Sequence, residues 1–275
     1  METVIVTLSD AGQAHRARRT IVDLRTRGEW RGDIVWLAVD FDPPATFVDF
    51  HRVQVRRVTH LDTSFLLSYY QRHPLRPTCD ARETRKLTQW DKFYVFDAWF
   101  TQWGRVLYLD AGLRVVDRVA HMLALDTTGV LLAPDDASPD DQAKRFGGII
   151  EADTERHPDV AARFLQDMGA EVLHERYFLN CLWMYDTALL RRVTLQDLVD
   201  AMNRYPIARC NEMTIMNLVF AYQHRVWRDL PSHSPLEPRR RLFGWTERDR
   251  DYGPYTTWRD FCFLKYPVTL GMEDV

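Results

Sequence analysis

The run VLYLDAGLRV (106–115) carries an apolar stretch straight into a carboxylate. Asp110 follows Val106, Leu107, Tyr108 and Leu109 without a break, and Ala111 and Gly112 leave almost no side chain after it. A carboxylate beyond the carboxyl end of a buried parallel strand stands where α/β sheets bind ligands. It could hold a divalent cation, which takes oxygen ligands and bridges phosphates, or accept hydrogen bonds from a ribose. A turn or helix N-cap aspartate is the plainer use of the same residue. Two further strands close in the same way: Asp40 ends DIVWLAVD (33–40), and Thr7 lies in TVIVTL (3–8) ahead of Ser9 and Asp10. The small residues at 111 and 112 would let a ligand approach the backbone closely.

These positions need a sheet to bring them to one edge. QAHRARRTIVDLRTRG (13–28) has apolar residues at helical spacing and a glycine stop, and FVDFHRVQVRRV (47–58) reads as a short helix and a strand. The aromatic-rich segment from Thr84 to Trp103 is helical in character. The alternation predicts an α/β fold with a mostly parallel central sheet flanked by helices. Further on, 133–148 is a polar loop carrying Arg145, 158–169 is an amphipathic helix, and YFLNCLWMYD (177–186) is an apolar strand interrupted by Asn180. Two more helices are predicted in LQDLVDAMNRY and NEMTIMNLVFAYQH, followed by an irregular tail over 231–260. No linker divides the chain, so one domain over 1–275 is expected.

Composition excludes several classes. A net charge of −3 over 275 residues offers no strongly basic surface for nucleic acid. No apolar stretch spans a bilayer, and METVIVTLSD lacks the charged and apolar regions of a signal peptide, so a cytoplasmic protein is expected. Cys79, Cys181, Cys210 and Cys262 form no CxxC pair, and the histidines show no metal spacing, so neither zinc nor disulfides are expected and no histidine is given a role.

The segment RKLTQWDKFYVFDAWFTQWGRVLYLDAGLRVVD (85–117) resembles the core of nucleotide-sugar glycosyltransferases of the GT-A fold, nearest the family-8 group of glycogenin and lipopolysaccharide galactosyltransferases. In that group a lysine-bearing helix precedes a strand ending Y-L-D-A-D; here Lys92 lies in WDKFYVF and the strand reads RVLYLDAG. YFLNCLWMYDTALL (177–190) is similar to the family's FNSGVMLFD strand, with Asn180 on its asparagine and Asp186 on its last aspartate. NEMTIMNLVF (211–220) is similar to its DQDxLN helix, placing Glu212 at the acidic position and Asn217 on the asparagine. WRDLP (227–231) and FLKYP (263–267) resemble the family's final strand and its lysine motif, with Lys265 on the lysine.

The resemblance implies a transferase moving a sugar from a nucleotide sugar, a UDP-sugar before a GDP-sugar, to a hydroxyl on a glycan, lipid or protein. It also implies retention of stereochemistry and Mn²⁺ or Mg²⁺ at Asp110. Residues 1–117 would form the nucleotide-binding half and 118–275 the acceptor-side half. The chain departs from the family at Gly112, where the second aspartate of D-x-D is missing, and at DFCFL, where a metal-binding histidine is missing. Thr7 and Asp40 would flank the base and ribose. Lys92, Lys265 and Arg145 would face the diphosphate, where added positive charge acts on the departing group. Asn180, Glu212 and Asn217 would hold sugar hydroxyls, which need both donors and acceptors, with Glu212 a candidate base in an inverting reaction. Trp90, Trp99, Trp103 and Trp183 are expected in the core, and Trp245, Tyr252, Tyr255 and Trp258 are candidates for acceptor stacking. Two other readings compete. One is a non-catalytic nucleotide-sugar or glycan-binding module. The other is a phosphatase or nucleotidyltransferase, for which Gly112 and the single glycine in TLSDAGQAHRARR are the wrong residues.

Overall fold

The computed structural model describes residues 2–76, 87–136, 144–245 and 257–265. Its centre is a seven-stranded sheet in the order β3-β2-β1-β4-β7-β6-β8. The strands are β1 (Thr3–Ser9), β2 (Asp33–Val39), β3 (Val53–Val58), β4 (Arg105–Leu109), β6 (Leu131–Ala133), β7 (Leu182–Asp186) and β8 (Trp227–Asp229). The first four lie parallel, β7 runs antiparallel between β4 and β6, and β8 is parallel to β6. β1 is buried along its whole length, as expected of a strand covered on both faces, which is why TVIVTLS reads as one apolar run rather than an alternation. The edge strand β3 instead exposes Gln54 and Arg57, charges and amides that discourage pairing with another sheet.

The crossover helix Ala14–Thr26 covers β1 with Ala17, Ile21 and Leu24. The same face carries a buried acid, Asp23, paired with Arg114 at 2.6 Å. Arg114 belongs to β5 (Arg114–Val115), which forms a second sheet with β9 (Arg241–Trp245) and β10 (Phe261–Lys265) in the order β5-β10-β9. The buried ion pair thus fixes the second sheet to the first layer of helices. No described helix is long and apolar enough to cross a membrane.

Three local expectations change. The aromatic segment, expected to be helical in character, is two stretches of 3₁₀ helix, Leu87–Phe96 and Ala98–Gln102. Asp97 separates them because its carboxylate accepts from Trp99 N at 2.7 Å and caps the second stretch. The expected strand 177–186 forms only from Leu182 onwards. Ahead of it Phe178 makes only an isolated antiparallel bridge to Asp135, while the Asn217 amide takes its other edge, accepting from Phe178 N and donating to Phe178 O. Part of the tail expected to be irregular, Arg241–Trp245, forms β9 and pairs parallel with β10, while 246–256 lie outside the described residues.

Candidate active site

Because β1, β2 and β4 are parallel and in register, their carboxyl ends share one edge of the sheet, and Asp110 stands just past β4. Its backbone N–H donates to Cys181 O at 2.8 Å, which joins it to the segment leading into β7. Asp110 Oδ1 accepts from the Tyr108 hydroxyl at 2.9 Å and lies 2.8 Å from Lys92 Nζ.

Lys92 is the hub. Its ammonium is 2.9 Å from Glu212 Oε1 and donates to Asn180 O at 3.3 Å as well as meeting Asp110. Three acceptors therefore occupy the three N–H donors of an ammonium. Burial works against this charge, but Asp110 and Glu212 outweigh it and push the lysine pKa up. Burial also drives the Tyr108 phenol well above its ordinary value, reinforced by Asp110, so Tyr108 remains a neutral donor. Asn180 Nδ2 donates to Glu212 Oε1 at 2.6 Å. Lys92, Asn180 and Glu212 are only 6, 7 and 2 % exposed. Glu212 Oε1 thus takes two donors, while Oε2 is buried with no hydrogen-bond partner among the described residues. A buried carboxylate oxygen left open is costly unless something meets it.

The other predicted residues take distinct places. Gly112 has φ +93°, a conformation that side chains disfavour, and a Cβ there would approach Arg16 Cδ to 3.2 Å. Its N–H donates to Thr20 Oγ1 at 3.0 Å. The turn is therefore fitted to the neighbouring helix, which accounts physically for the missing second carboxylate. Thr7 is fully buried within β1, with Oγ1 unpartnered among the described residues. Asp40, at φ +52°, accepts from His60 N at 3.3 Å and borders a hollow lined by Phe41, Asp42, Arg57, Val58 and Thr59. Lys265 ends β10 with Nζ 4.8 Å from the Trp245 ring centre, and Lys144 lies over the same ring at 5.2 Å. The positive field of Lys265 reaches Cys181, although burial dominates and lifts that thiol to about 11. Arg145 is half-buried beside Lys144.

Asn217 corrects the sequence reading. It is fully buried, and its amide is taken up by the Phe178 backbone and by Met213 O, so it shapes the approach to Asn180 instead of holding a sugar. Trp90, Trp103 and Trp183 are core residues, as expected, with Trp183 stacked on Tyr108 at 3.8 Å. Trp99 is half-buried. Trp258 packs beside Phe261 and Leu264, and Tyr252 and Tyr255 lie outside the described residues.

The sequence reading missed a second chain of groups at this edge. His60 Nδ1 lies 2.7 Å from Asp91 Oδ2, and His60 Nε2 lies 3.7 Å from Asp40 Oδ2. Burial raises the Asp91 carboxyl to about 6, against hydrogen bonds from Leu61 N and His60. Asp91 directly precedes Lys92, and an acid ahead of a motif lysine was the available signal.

A divalent cation at Asp110 finds a poor ligand set among the described residues. Asp110 supplies one carboxylate, Gly112 supplies none, and Glu212, the carboxylate joined to Asp110 through Lys92, already shares that ammonium. The Lys92 ammonium lies between the two acids, 2.8 Å from Asp110 and 2.9 Å from Glu212. These residues do not fit a cation of the kind the resemblance implies.

No family model matches the chain, and no curated protein matches it in sequence. Solved structures do. The galactosyltransferase LgtC, in complex with donor and acceptor sugar analogs, matches with a TM-score of 0.55 at 14 % identity, covering 96 % of this chain and 86 % of that one. The bifunctional glycosyltransferase WbbM matches at 0.58 and 12 % identity, covering 96 % of this chain but 45 % of its own. Core-mannan synthase A of Aspergillus fumigatus, in its Mn/GDP form, matches at 0.51 and 8 % identity, over 84 % of this chain and 73 % of its own. With its mixed seven-stranded sheet flanked by helices, the chain has the GT-A fold of these glycosyltransferases.

Proposed function

We propose that the chain transfers a sugar from a nucleoside-diphosphate sugar, with UDP as the favoured nucleotide, to a hydroxyl on a glycan, lipid or protein. The observation that carries this reading is the buried Glu212 carboxylate beside Asp110 at the sheet edge, with Oε1 held by Lys92 and Asn180 and Oε2 left without a partner among the described residues. A carboxylate with one oxygen fixed and one open accepts a hydrogen bond from a sugar hydroxyl. The rigid donors around it keep it aimed without reorganisation.

In this reading residues 1–117 form the nucleotide side. Asp40 accepts from the ribose, the backbone turn at Gly112 gives the donor room, and Asp110 orients the donor sugar. Thr7, enclosed in β1, supports the strand beneath the base. Lys92 acts through Asp110 and Glu212 as a positioning residue. Lys265, with Lys144 across Trp245, faces the diphosphate as its charge grows on departure. The Asp110 carboxylate and Lys92 act without a metal in this account, so Mn²⁺ adds little to donor binding. The fold likeness to glycosyltransferases supports the reading, as does the ordered set of motifs.

A specific observation favours a second reading: Gly112 stands where the resembling family carries the second aspartate of D-x-D, as a donor-binding module without turnover would have it. Release of nucleoside diphosphate from a panel of nucleotide sugars separates the two. Turnover in the wild type that falls at least a hundredfold in Glu212→Gln supports the transferase. Donor binding with no release across all acceptors supports the binding module.

A further inference from the structure

Away from the Lys92 network, three metal-ligating side chains meet beside the second sheet. Asp117 follows β5, His121 lies in the short helix Ala120–Leu123, and Cys262 is in β10. One carboxylate oxygen, one ring nitrogen and Sγ lie within 4.8 Å of one another. His121 and Cys262 are buried and Asp117 is half-buried. His121 Nδ1 is 2.8 Å from Ser234 Oγ, a buried hydroxyl that also accepts from Leu236 N. The other ring nitrogen, Nε2, faces Asp117 Oδ2 at 3.7 Å and has no hydrogen-bond partner among the described residues. Asp117 Oδ1 accepts from Arg118 N at 2.7 Å, and Arg240 Nε lies 2.8 Å from Oδ2.

A histidine that spends one ring nitrogen on an oxygen and leaves the other bare is oriented as metal-bound histidines are. Imidazole, thiolate and carboxylate together are a zinc donor set. Zinc bonds of about 2.0–2.3 Å around a tetrahedron place ligand atoms about 3.3–3.6 Å apart. The His121–Asp117 separation of 3.7 Å is already close to that.

We infer that Asp117, His121 and Cys262 bind one zinc-class divalent transition metal, with water as the fourth ligand. On binding, the Cys262 thiol loses its proton to solvent and Sγ donates an electron pair to the ion; no atom changes oxidation state. The thiolate and carboxylate offset the two charges of the ion, which makes its partial burial tolerable. The ion joins β10 to the segment after β5 and so anchors the strand that ends on Lys265. This inference stands apart from the sugar-transfer reading, because none of its residues belongs to that site.

The test uses the full chain, purified without chelator and dialysed against metal-free buffer. Elemental analysis is expected to find one zinc per chain. Replacement by Co²⁺ is expected to give the visible bands of a tetrahedral site and a thiolate-to-cobalt charge-transfer band in the near ultraviolet. Cys262→Ala loses the charge-transfer band, whereas Asp110→Asn keeps both the metal and the band. Where Cys262→Ala does not fold, His121→Gln and zinc titration of chelator-stripped wild type, followed by melting temperature, replace it. Sub-stoichiometric metal with no zinc-dependent rise in melting temperature overturns the inference. So does a cobalt spectrum without a thiolate band, or loss of the metal in Asp110→Asn.

Discussion

The molecule holds two clusters of acids with opposite internal balance. At the end of β4, two carboxylates share one lysine ammonium, and Asn180 and Tyr108 add donors, so the cation is covalently part of the chain. Beside β10, a carboxylate, a thiol and an imidazole meet with a bare ring nitrogen between them. The first cluster has supplied its own cation and leaves Glu212 Oε2 without a partner among the described residues. The second has not.

The sharpest way to break this contrast is to take the cation away. Lys92→Met leaves two buried carboxylates facing each other and is expected to lower stability by about 3–5 kcal/mol in chemical denaturation. Adding Mn²⁺ to this variant tests whether a metal can replace the ammonium, and recovered stability would show that the two are interchangeable. Asn217→Ala strands the Phe178 N–H and C=O and is expected to cost about 2–3 kcal/mol. Donor affinity per folded molecule stays within about twofold, because Asn217 touches only backbone.

The Asp91–His60 pair gives a pH signature. The folded carboxyl titrates near 6, above its ordinary 3.8, so the folded state binds the proton more tightly. Its contribution to stability is complete below pH 3.8 and is lost as pH rises through about 6. Wild type is therefore expected to lose about 2–3 kcal/mol relative to Asp91→Asn across that window, read from denaturation midpoints against pH. The smallest effect is at the turn. Gly112→Asp, which restores the family's carboxylate, forces a side chain into positive φ and is expected to cost about 1–2 kcal/mol without creating Mn²⁺-dependent donor binding.

Much of the frame was legible in sequence because its physics is local. β1, β2 and β4 are mostly apolar, buried runs, and the helix Ala14–Thr26 shows its apolar face in the spacing of Ala17, Ile21 and Leu24. Asp110, Asn180 and Glu212 were legible as motif residues, but not the fact that one lysine ties them. That geometry depends on Cys181 O receiving the Asp110 N–H and on Asn217 holding the Phe178 backbone N–H and C=O. Asp117, His121 and Cys262 were not legible as a group, because β10 must pair with β5 before the cysteine meets the other two. The short 3₁₀ stretches around Asp97 escaped for the same kind of reason, since a side-chain cap there outcompeted the helical period.

The central claim is that the Asp110–Lys92–Glu212 edge binds a nucleotide sugar. Melting temperature measured against UDP-, GDP- and dTDP-sugars, each with and without Mn²⁺, tests it most directly, since a ligand bound only to the folded state raises stability by mass action. The account predicts a rise with UDP-sugars in the wild type, nearly the same with and without Mn²⁺, and none in Asp110→Asn. No rise with any of the three donor classes, or an undiminished rise in Asp110→Asn, would contradict it.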